Sequence, residues 1–125
     1  MASFTIDSNI LIYHLKDDAA VQHALEEWLL GENKLFISAI TRIEILAAPI
    51  MREGEEEKIN LLLSQFIMIP VDAQIADIAA RVRRMHRLEL GDSIIAATAL
   101  LLNSPIVTRN VRDFKKVLNL EIFPL

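Results

Sequence analysis

Short apolar runs that alternate with longer amphipathic segments constrain this chain more strongly than any other feature of its sequence. The short runs are predicted β-strands at residues 4–6, 35–37, 67–69 and 106–107, with a fifth at 121–123. Strands that alternate with helices favour a parallel sheet whose two faces are both covered by helices. We therefore predict an α/β fold with three layers, α/β/α, around a central parallel sheet of four to five strands.

Helical spacing of the apolar residues predicts seven helices between these strands. Asp17 or Asp18 caps the second helix, and Gly31 stands where that helix stops. The helix that begins at Asp92 is apolar almost all round, so we expect it to be buried against the sheet. The seven helices begin at residues 9, 17 or 18, 38 or 41, 55, 72, 92 and 111, and they end at residues 15, 30, 50, 66, 86, 103 and 118.

The composition excludes several classes of protein. The 125 residues fit one domain, residues 1–125, and no uncharged apolar run approaches the roughly 18 residues of a membrane-spanning helix. The first residues lack the basic region of a signal peptide. The chain has no cysteine, which excludes disulfide scaffolds, thiolate zinc sites and cysteine nucleophiles. We therefore expect a cytoplasmic protein with no membrane association.

The charge and hydropathy of the chain indicate what it binds. A formal net charge of −4 argues against a protein that coats nucleic acid, because coating requires a large basic surface. The same charge is compatible with an enzyme whose acidic side chains gather at one metal site. The mean hydropathy of +0.35 is high for a short soluble chain. It predicts that a partner or a second copy covers part of the apolar surface.

Four acidic residues stand at positions that favour a functional site. Asp7 directly follows the first predicted strand and Asp113 lies just beyond the fourth. The carboxyl ends of parallel strands form the crevice in which α/β proteins bind ligands. Asp92 opens the most hydrophobic helix of the chain. Glu44 falls at one edge of the apolar stripe of the third helix, which includes Ile43, and a bare carboxylate would be costly to bury there.

Each of these acids also has a structural alternative. Asp7 and Asp92 are placed to act as helix N-caps, Glu44 to form a salt bridge, and Asp113 to be a loop acid or a partner of Lys116. If the four converged, they would repel one another and have raised pKa values unless a cation lay among them. Carboxylates without cysteine or clustered histidine favour a hard ion, Mg²⁺ or Mn²⁺, over zinc.

Four segments carry a family likeness, and they are DSN at 7–9, ITRIEIL at 40–46, GDSIIAATA at 91–99 and IVTRNVRDF at 106–114. In this order they resemble the PIN-domain ribonucleases, and especially the VapC toxins. The resemblance implies one acidic site that is both catalytic and metal-binding, with polar side chains in support. The acids are Asp7, Glu44, Asp92 and Asp113, and the supports are Ser8, Thr108 and Asn110.

The same resemblance implies an activity, a cofactor and partners. We expect an endoribonuclease that uses Mg²⁺ or Mn²⁺ to hydrolyse RNA phosphodiester bonds and leaves a 5′-phosphate and a 3′-hydroxyl. The implied partners are the RNA substrate, a small antitoxin whose C-terminal segment covers the active site, and a second copy in a homodimer. Ser93 departs from the alanine that is more usual in the family, and we expect no consequence.

An acidic crevice repels RNA, so basic side chains are needed beside it. The arginines nearest in sequence to Asp92 and Asp113 are candidates for phosphate contacts. They are Arg81, Arg83, Arg84 and Arg87, followed by Arg109 and Arg112. The alternative for any one of them is a solvated charge on a helix face that pairs with a nearby glutamate.

Three rival functions remain open at the level of sequence. The first is a PIN-domain nuclease of RNA processing that has no antitoxin. The second is a non-catalytic PIN-fold module that binds a protein tail in its groove. The third is a metal-dependent phosphatase, which usually carries a second acid two residues after the first; Asn9 stands there instead.

Overall fold

Five parallel strands form the central sheet, in the spatial order β3-β2-β1-β4-β5. The computed structural model describes residues 2–47 and 51–125. The strands are β1 (Ser3–Ile6), β2 (Lys34–Ser38), β3 (Ile67–Ile69), β4 (Ile106–Thr108) and β5 (Ile122–Pro124). The prediction of an α/β fold around a parallel sheet of four to five strands is confirmed, with the fifth strand present.

The strand order creates a switch point between β1 and β4. From β1 the chain moves outward to β2 and then β3, and it returns to place β4 on the opposite side of β1. Thr5 and Ile6 of β1 pair with Ile106 and Val107 of β4. Ligands of open α/β sheets bind beyond the carboxyl ends of the strands at such a reversal. The end of β1 leads to Asp7 at this place.

Helices cover both faces of the sheet, as the alternating pattern predicts. Within the described residues they are α1 (Ser8–Leu15), α2 (Ala19–Leu30), α3 (Ala39–Leu46), α4 (Glu55–Leu63), α5 (Ala73–His86), α6 (Leu90–Leu102) and α7 (Val111–Phe114). One apolar cluster joins the sheet to α1, α2 and α4, and it includes Ile6, Leu11, Leu25 and Ile59. A second joins the sheet to α5, α6 and α7 and includes Ile106. Every residue from 93 to 99 in α6 is buried, as expected for a helix that is apolar all round.

Local capping signals locate most helix starts. Asp18, Ser38 and Asp72 each accept a hydrogen bond from a backbone N–H in the first turn of the helix that follows. The glutamates at 55–57 fill the first turn of α4, where the helix dipole favours anions. These starts agree with the predicted ones, since a cap depends only on residues close in sequence.

Four helix limits differ by two residues or more from the predicted ones. Helix α7 is a single turn that ends at Phe114 rather than residue 118, and α4 ends at Leu63 rather than residue 66. The apolar Phe66 packs in the turn that follows α4, so its apolar character does not mean that it is helical.

Helices α6 and α3 account for the other two limits. Helix α6 begins at Leu90, two residues before Asp92. Helix α3 ends at Leu46, with Ala47 as its C-cap, rather than at residue 50, and residues 48–50 lie outside the described residues.

The apolar stripe drawn for the third helix is wrong in part. Ile43 was placed on the buried side, yet its side chain is 61% exposed, and the buried residues of α3 are Thr41 and Ile45. The hydroxyl of Thr41 lies 3.0 Å from that of Ser8. Thr41, with its polar partner Ser8, therefore shares the inner face of α3 with Ile45. A helical pattern based on apolar residues alone does not predict a buried threonine.

No helix within residues 2–47 and 51–125 combines the length and the apolar character that crossing a membrane would need.

Candidate active site

The four sequence-predicted acids lie on four elements around the carboxyl edge of the sheet. Asp7 follows β1, Glu44 is in α3, Asp92 is in the first turn of α6 and Asp113 is in α7. Their mutual effect is visible at Asp92, whose pKa is raised to about 6. Burial is the largest cause of this rise, followed by repulsion from Asp7, Glu44, Asp113 and Glu89. The structure therefore brings the four acids into one electrostatically coupled group.

Asp7 is the most deeply buried of these carboxylates, with 1% of its surface exposed. Burial raises the pKa of Asp7, and repulsion from Glu44 raises it further. The hydrogen bond from the Thr108 hydroxyl lowers it. Thr108 Oγ1 donates to Asp7 Oδ2 at 2.7 Å and accepts from the backbone N–H of Asn110 at 2.9 Å. Asp7 occupies the N-cap position of α1, and hydrogen bonds from the backbone N–H groups of Asn9 and Ser8 also lower its pKa. The N-cap placement that the sequence offered as an alternative is therefore realised together with the contact to Thr108.

Glu44 lies between a hydroxyl and a glycine. The Ser8 hydroxyl donates to Glu44 Oε1 at 2.8 Å. A side chain at Gly91 would place its Cβ only 3.2 Å from Glu44 Oε2. Glycine in a helix costs up to about 1 kcal/mol relative to alanine, and here it leaves room for the carboxylate. The expectation that Glu44 borders a buried stripe is not met, because its side chain is exposed.

Asp92 is the third residue of α6, so the structural alternative of an N-cap is wrong for this residue. Glu89 holds the N-cap position and makes no side-chain capping bond. The two carboxylates are three residues apart and fall on the same side of the helix start. Glu89 is therefore a fifth acid near the site. Its spacing of three residues from Asp92 could have indicated it from the sequence.

Asp113 is the one acid of the four with a basic neighbour at close range. Lys116 Nζ lies 3.7 Å from Asp113 Oδ1, and both side chains are at least one-third exposed. The predicted alternative of a Lys116 partner is therefore realised. An exposed pair of this length contributes little to stability, so it does not commit Asp113 to a structural role.

The chemistry of this group suits a hard divalent cation. Among residues 2–47 and 51–125, no lysine or arginine nitrogen lies within 4.0 Å of the carboxylates of Asp7, Glu44 or Asp92. Over those same residues, no three histidine, aspartate or glutamate side chains stand close enough together to form a finished metal cage. Repulsion between bare carboxylates opposes such a cage. Carboxylate oxygens are the donors that hard divalent cations such as Mg²⁺ prefer.

The predicted polar supports act in two different ways. Ser8 and Thr108 donate from their hydroxyls to Glu44 and Asp7, while Asn110 contributes its backbone N–H to Thr108. Thr41 is a support that the sequence analysis missed: it is fully buried and contacts Ser8. A threonine three residues before a candidate acid, on the inner face of the helix, is the signal that would have indicated it.

The candidate RNA-binding arginines divide into two groups. Within the described chain, five of them are exposed and have no carboxylate oxygen within 4.0 Å. They are Arg81, Arg83, Arg84, Arg87 and Arg112. Arg109 is different, because its guanidinium pairs with Asp18 at 2.7 Å and 3.1 Å. Arg109 therefore already has a carboxylate partner, which the other five arginines lack within the described residues.

The raised pKa values predict how the stability of the metal-free chain varies with pH. Asp92 has a folded pKa of about 6 against an ordinary value of 3.8, and the pKa of Asp7 is also raised. The protonated Asp92 carboxyl group stabilises the folded state most below pH 3.8. This stabilisation is lost as the pH rises through 6. We expect Asp92→Asn to remove that loss and to be more stable than wild type at pH 7, by up to about 3 kcal/mol.

Urea unfolding in EDTA at pH 4 and pH 7 measures this difference. The gap between Asp92→Asn and wild type should widen as the pH rises, while Asp77→Asn, on an exposed face of α5, should give no such trend. Parallel pH curves for Asp92→Asn and wild type would contradict the proposed repulsion.

Comparison with known proteins identifies the family. The PIN domain family model matches residues 4–119. Ribonuclease VapC10 of Mycobacterium tuberculosis is 35% identical, over 87% of this chain and 84% of the relative. A toxin-antitoxin complex from Klebsiella pneumoniae contains a chain that is 31% identical, with a TM-score of 0.80 over the full length of both. VapBC2 of Rickettsia felis, solved with a promoter DNA fragment, is 22% identical but has the same fold, with a TM-score of 0.84 over 98% of each chain. The chain belongs to the PIN-domain family, among the VapC ribonucleases.

Proposed function

We propose that this chain is a Mg²⁺- or Mn²⁺-dependent endoribonuclease and the toxin of a toxin–antitoxin pair. One observation supports the proposal: Asp7, Glu44 and Asp113 add to the burial that raises the pKa of Asp92 to about 6, and three of these four acids have no basic partner within 4.0 Å in the described chain. For Asp7, which is 1% exposed, a purely structural role would call for a basic partner, since an unpaired buried charge is costly. The VapC ribonucleases among its relatives support the same activity.

The anchoring of the acids determines which oxygens would hold the cation. Thr108 engages Oδ2 of Asp7, and Ser8 engages Oε1 of Glu44. Each acid therefore keeps one oxygen for a metal, and Gly91 leaves the space in front of Glu44 Oε2 open. Asp92 and Asp113 complete the set. Such hydrogen bonds orient carboxylate ligands and limit their motion.

A bound divalent cation would lower the pKa of a water and neutralise charge on the phosphodiester. The protein residues supply the rest. Asp7 and Asp92 would hold the cation in their ionised forms, and Asp92 ionises as the pH rises through about 6. No residue needs to act as a covalent nucleophile, and attack by water in line with the leaving oxygen would give a 5′-phosphate and a 3′-hydroxyl.

Exposed arginines beside the site would hold the RNA backbone. Arg83, Arg84 and Arg87 lie at the end of α5, just before the helix that carries Asp92, and Arg112 precedes Asp113. Arg87 caps α5 in the left-handed conformation, with φ of 55°. Glycine or asparagine is the usual residue there. An arginine at a strained position that glycine would occupy without strain supports a use of its charge.

Replacement of Arg87 by glycine should separate stability from RNA binding. The glycine relieves the left-handed strain, so we expect unfolding to become harder by about 1 kcal/mol. The lost phosphate contact should weaken RNA binding several-fold and reduce the salt dependence of the binding constant. Fluorescence anisotropy with a labelled RNA at two salt concentrations measures both effects. Equal binding by wild type and Arg87→Gly would exclude Arg87 from the RNA surface.

The antitoxin and a second copy are the proposed protein partners. The solved structures with this fold include VapBC complexes and toxin-antitoxin complexes. Large apolar side chains on several helices and in the turn after α7 stand exposed, as expected of a surface that other chains cover. They include Leu30, Ile43, Leu61, Met85 and Leu118. We propose that residues 1–125 act as one PIN domain in the cytoplasm, as a homodimer that the antitoxin inhibits.

A cleavage assay on purified protein tests the proposed activity. RNA should be cut with Mg²⁺ or Mn²⁺ and remain intact in EDTA, and the products should carry 5′-phosphates, detectable by ligation that requires this group. Cleavage undiminished by EDTA would reject the metal site. Growth arrest on induction, relieved by a small protein encoded beside the gene, separates a toxin from an RNA-processing nuclease.

A further inference from the structure

Arg109 forms the shortest and most buried ion pair of the described chain. Its Nη1 lies 2.7 Å from Asp18 Oδ2 and its Nη2 lies 3.1 Å from Asp18 Oδ1, so the guanidinium meets the carboxylate through two parallel bonds. The guanidinium carbon stands 4.5 Å from the centre of the Tyr13 ring. Both charged side chains are about three-quarters buried, unlike the other ion pairs found among the described residues. We call Arg109, Asp18 and Tyr13 the clamp.

The clamp joins two segments that are 91 residues apart in sequence. Asp18 is fixed from its own side: its backbone N–H donates to the Tyr13 carbonyl at 3.0 Å, and its carboxylate caps α2 through the Val21 N–H at 3.2 Å. Arg109 belongs to the short segment between β4 and α7. The α1–α2 turn therefore fixes Asp18, and Asp18 holds the segment after β4 through Arg109.

The residues on either side of Arg109 belong to the candidate active site. Thr108 donates to Asp7, and Asn110 donates its N–H to Thr108 and begins the turn that carries Asp113. Within the described residues, Arg109 forms no ion pair with Asp7 or Asp113. The single turn of α7 is held to the core by Phe114, which is fully buried. The pair of Arg109 with Asp18 is a second fixed point, at the start of the segment that carries Asp113.

We infer that Arg109, held by Asp18 and Tyr13, is a positioning residue that sets the placement of Thr108 and Asp113 at the metal site. This inference rests on the proposed function. A planar guanidinium with two bonds and an aromatic face fixes direction as well as distance, which a lysine cannot reproduce. The role differs from the RNA contact that the sequence pattern suggested for Arg109.

Two single variants remove the clamp without removing the helix cap or the positive charge. Asp18→Ser keeps a good N-cap for α2 but is too short to receive the guanidinium fork. Arg109→Lys keeps the charge and loses the paired bonds. Asp72→Ser is the matched control, since Asp72 caps α5 through Ile75 N–H in the same way but has no arginine partner in the described chain.

Calorimetric titration of the full chain with Mn²⁺ alone, together with RNA cleavage kinetics, tests the inference. We expect Asp18→Ser and Arg109→Lys each to raise the Mn²⁺ dissociation constant about 10-fold or more, and Asp72→Ser to leave it unchanged. The double variant should bind Mn²⁺ no more weakly than the worse single variant, because the two residues act as one unit.

Three outcomes would overturn the inference. An unchanged Mn²⁺ dissociation constant with a lowered melting temperature in both variants would make the clamp purely structural. A raised KM for RNA in Arg109→Lys alone, with Mn²⁺ binding intact, would make Arg109 an RNA contact. If wild-type protein bound no Mn²⁺, the proposed function would fail and the inference with it, and this result is distinct because wild type itself fails.

Discussion

Purified Asp7→Asn and Asp92→Asn variants should cleave RNA at least about 100-fold more slowly than wild type while keeping the wild-type fold. Loss of a residue that merely orients a metal ligand commonly costs 10- to 100-fold in metal affinity or activity. These two acids are proposed as ligands themselves, so the loss should be at least as large. Asparagine is nearly isosteric with aspartate, and Asp7→Asn retains an oxygen that can accept from Thr108.

The control for this experiment is Asp77→Asn, which makes the same change at an exposed position of α5. It should cleave RNA at the wild-type rate. Circular dichroism and urea unfolding of each variant establish that any loss is not a loss of structure. Wild-type activity in both Asp7→Asn and Asp92→Asn would reject the assignment of these acids to the catalytic site.

The elements that place these acids are largely readable from local sequence. A strand ends at Ile6 and another at Thr108, and both ends follow from runs of apolar residues that stop at polar ones. The chain order of strands and helices then requires a parallel sheet. Since carboxyl ends of parallel strands share one edge, Asp7 and the segment that holds Asp113 meet even though 101 residues separate Asp7 from Thr108.

The features that sequence reasoning missed depend on contacts distant in sequence. Arg109 was assigned to RNA because nothing near it in sequence indicates Asp18, and the pair exists only after α2 and the end of β4 come together. Ile43 was assigned to the core because a helical stripe identifies a face but not what lies against it. The N-cap of α6 was misplaced because Glu89, Leu90 and Gly91 carry no strong capping signal.

Mn²⁺ or Mg²⁺ should raise the melting temperature of wild-type protein at pH 7.5 by about 5 °C when present at ten times its dissociation constant. Binding to the folded state alone at that ratio stabilises it by about 1.4 kcal/mol. For a chain of this size 1 kcal/mol corresponds to roughly 3 to 5 °C. The cation also offsets the burial and the repulsion that together raise the pKa of Asp92 to about 6, so the gain should be smaller at pH 5, where that carboxylate is partly protonated.

The Asp92→Asn variant separates this effect from general ionic screening. Without metal it should melt no lower than wild type, because one of the mutually repelling charges has been removed, and added metal should raise its melting temperature by less. NaCl at matched ionic strength should leave wild-type protein nearly unchanged, since only a cation bound between the carboxylates gives the specific gain. Identical melting curves with and without millimolar Mn²⁺ would mean that Asp7, Glu44 and Asp92 do not form a cation site. Their shared position at the edge of the sheet would then need a different explanation.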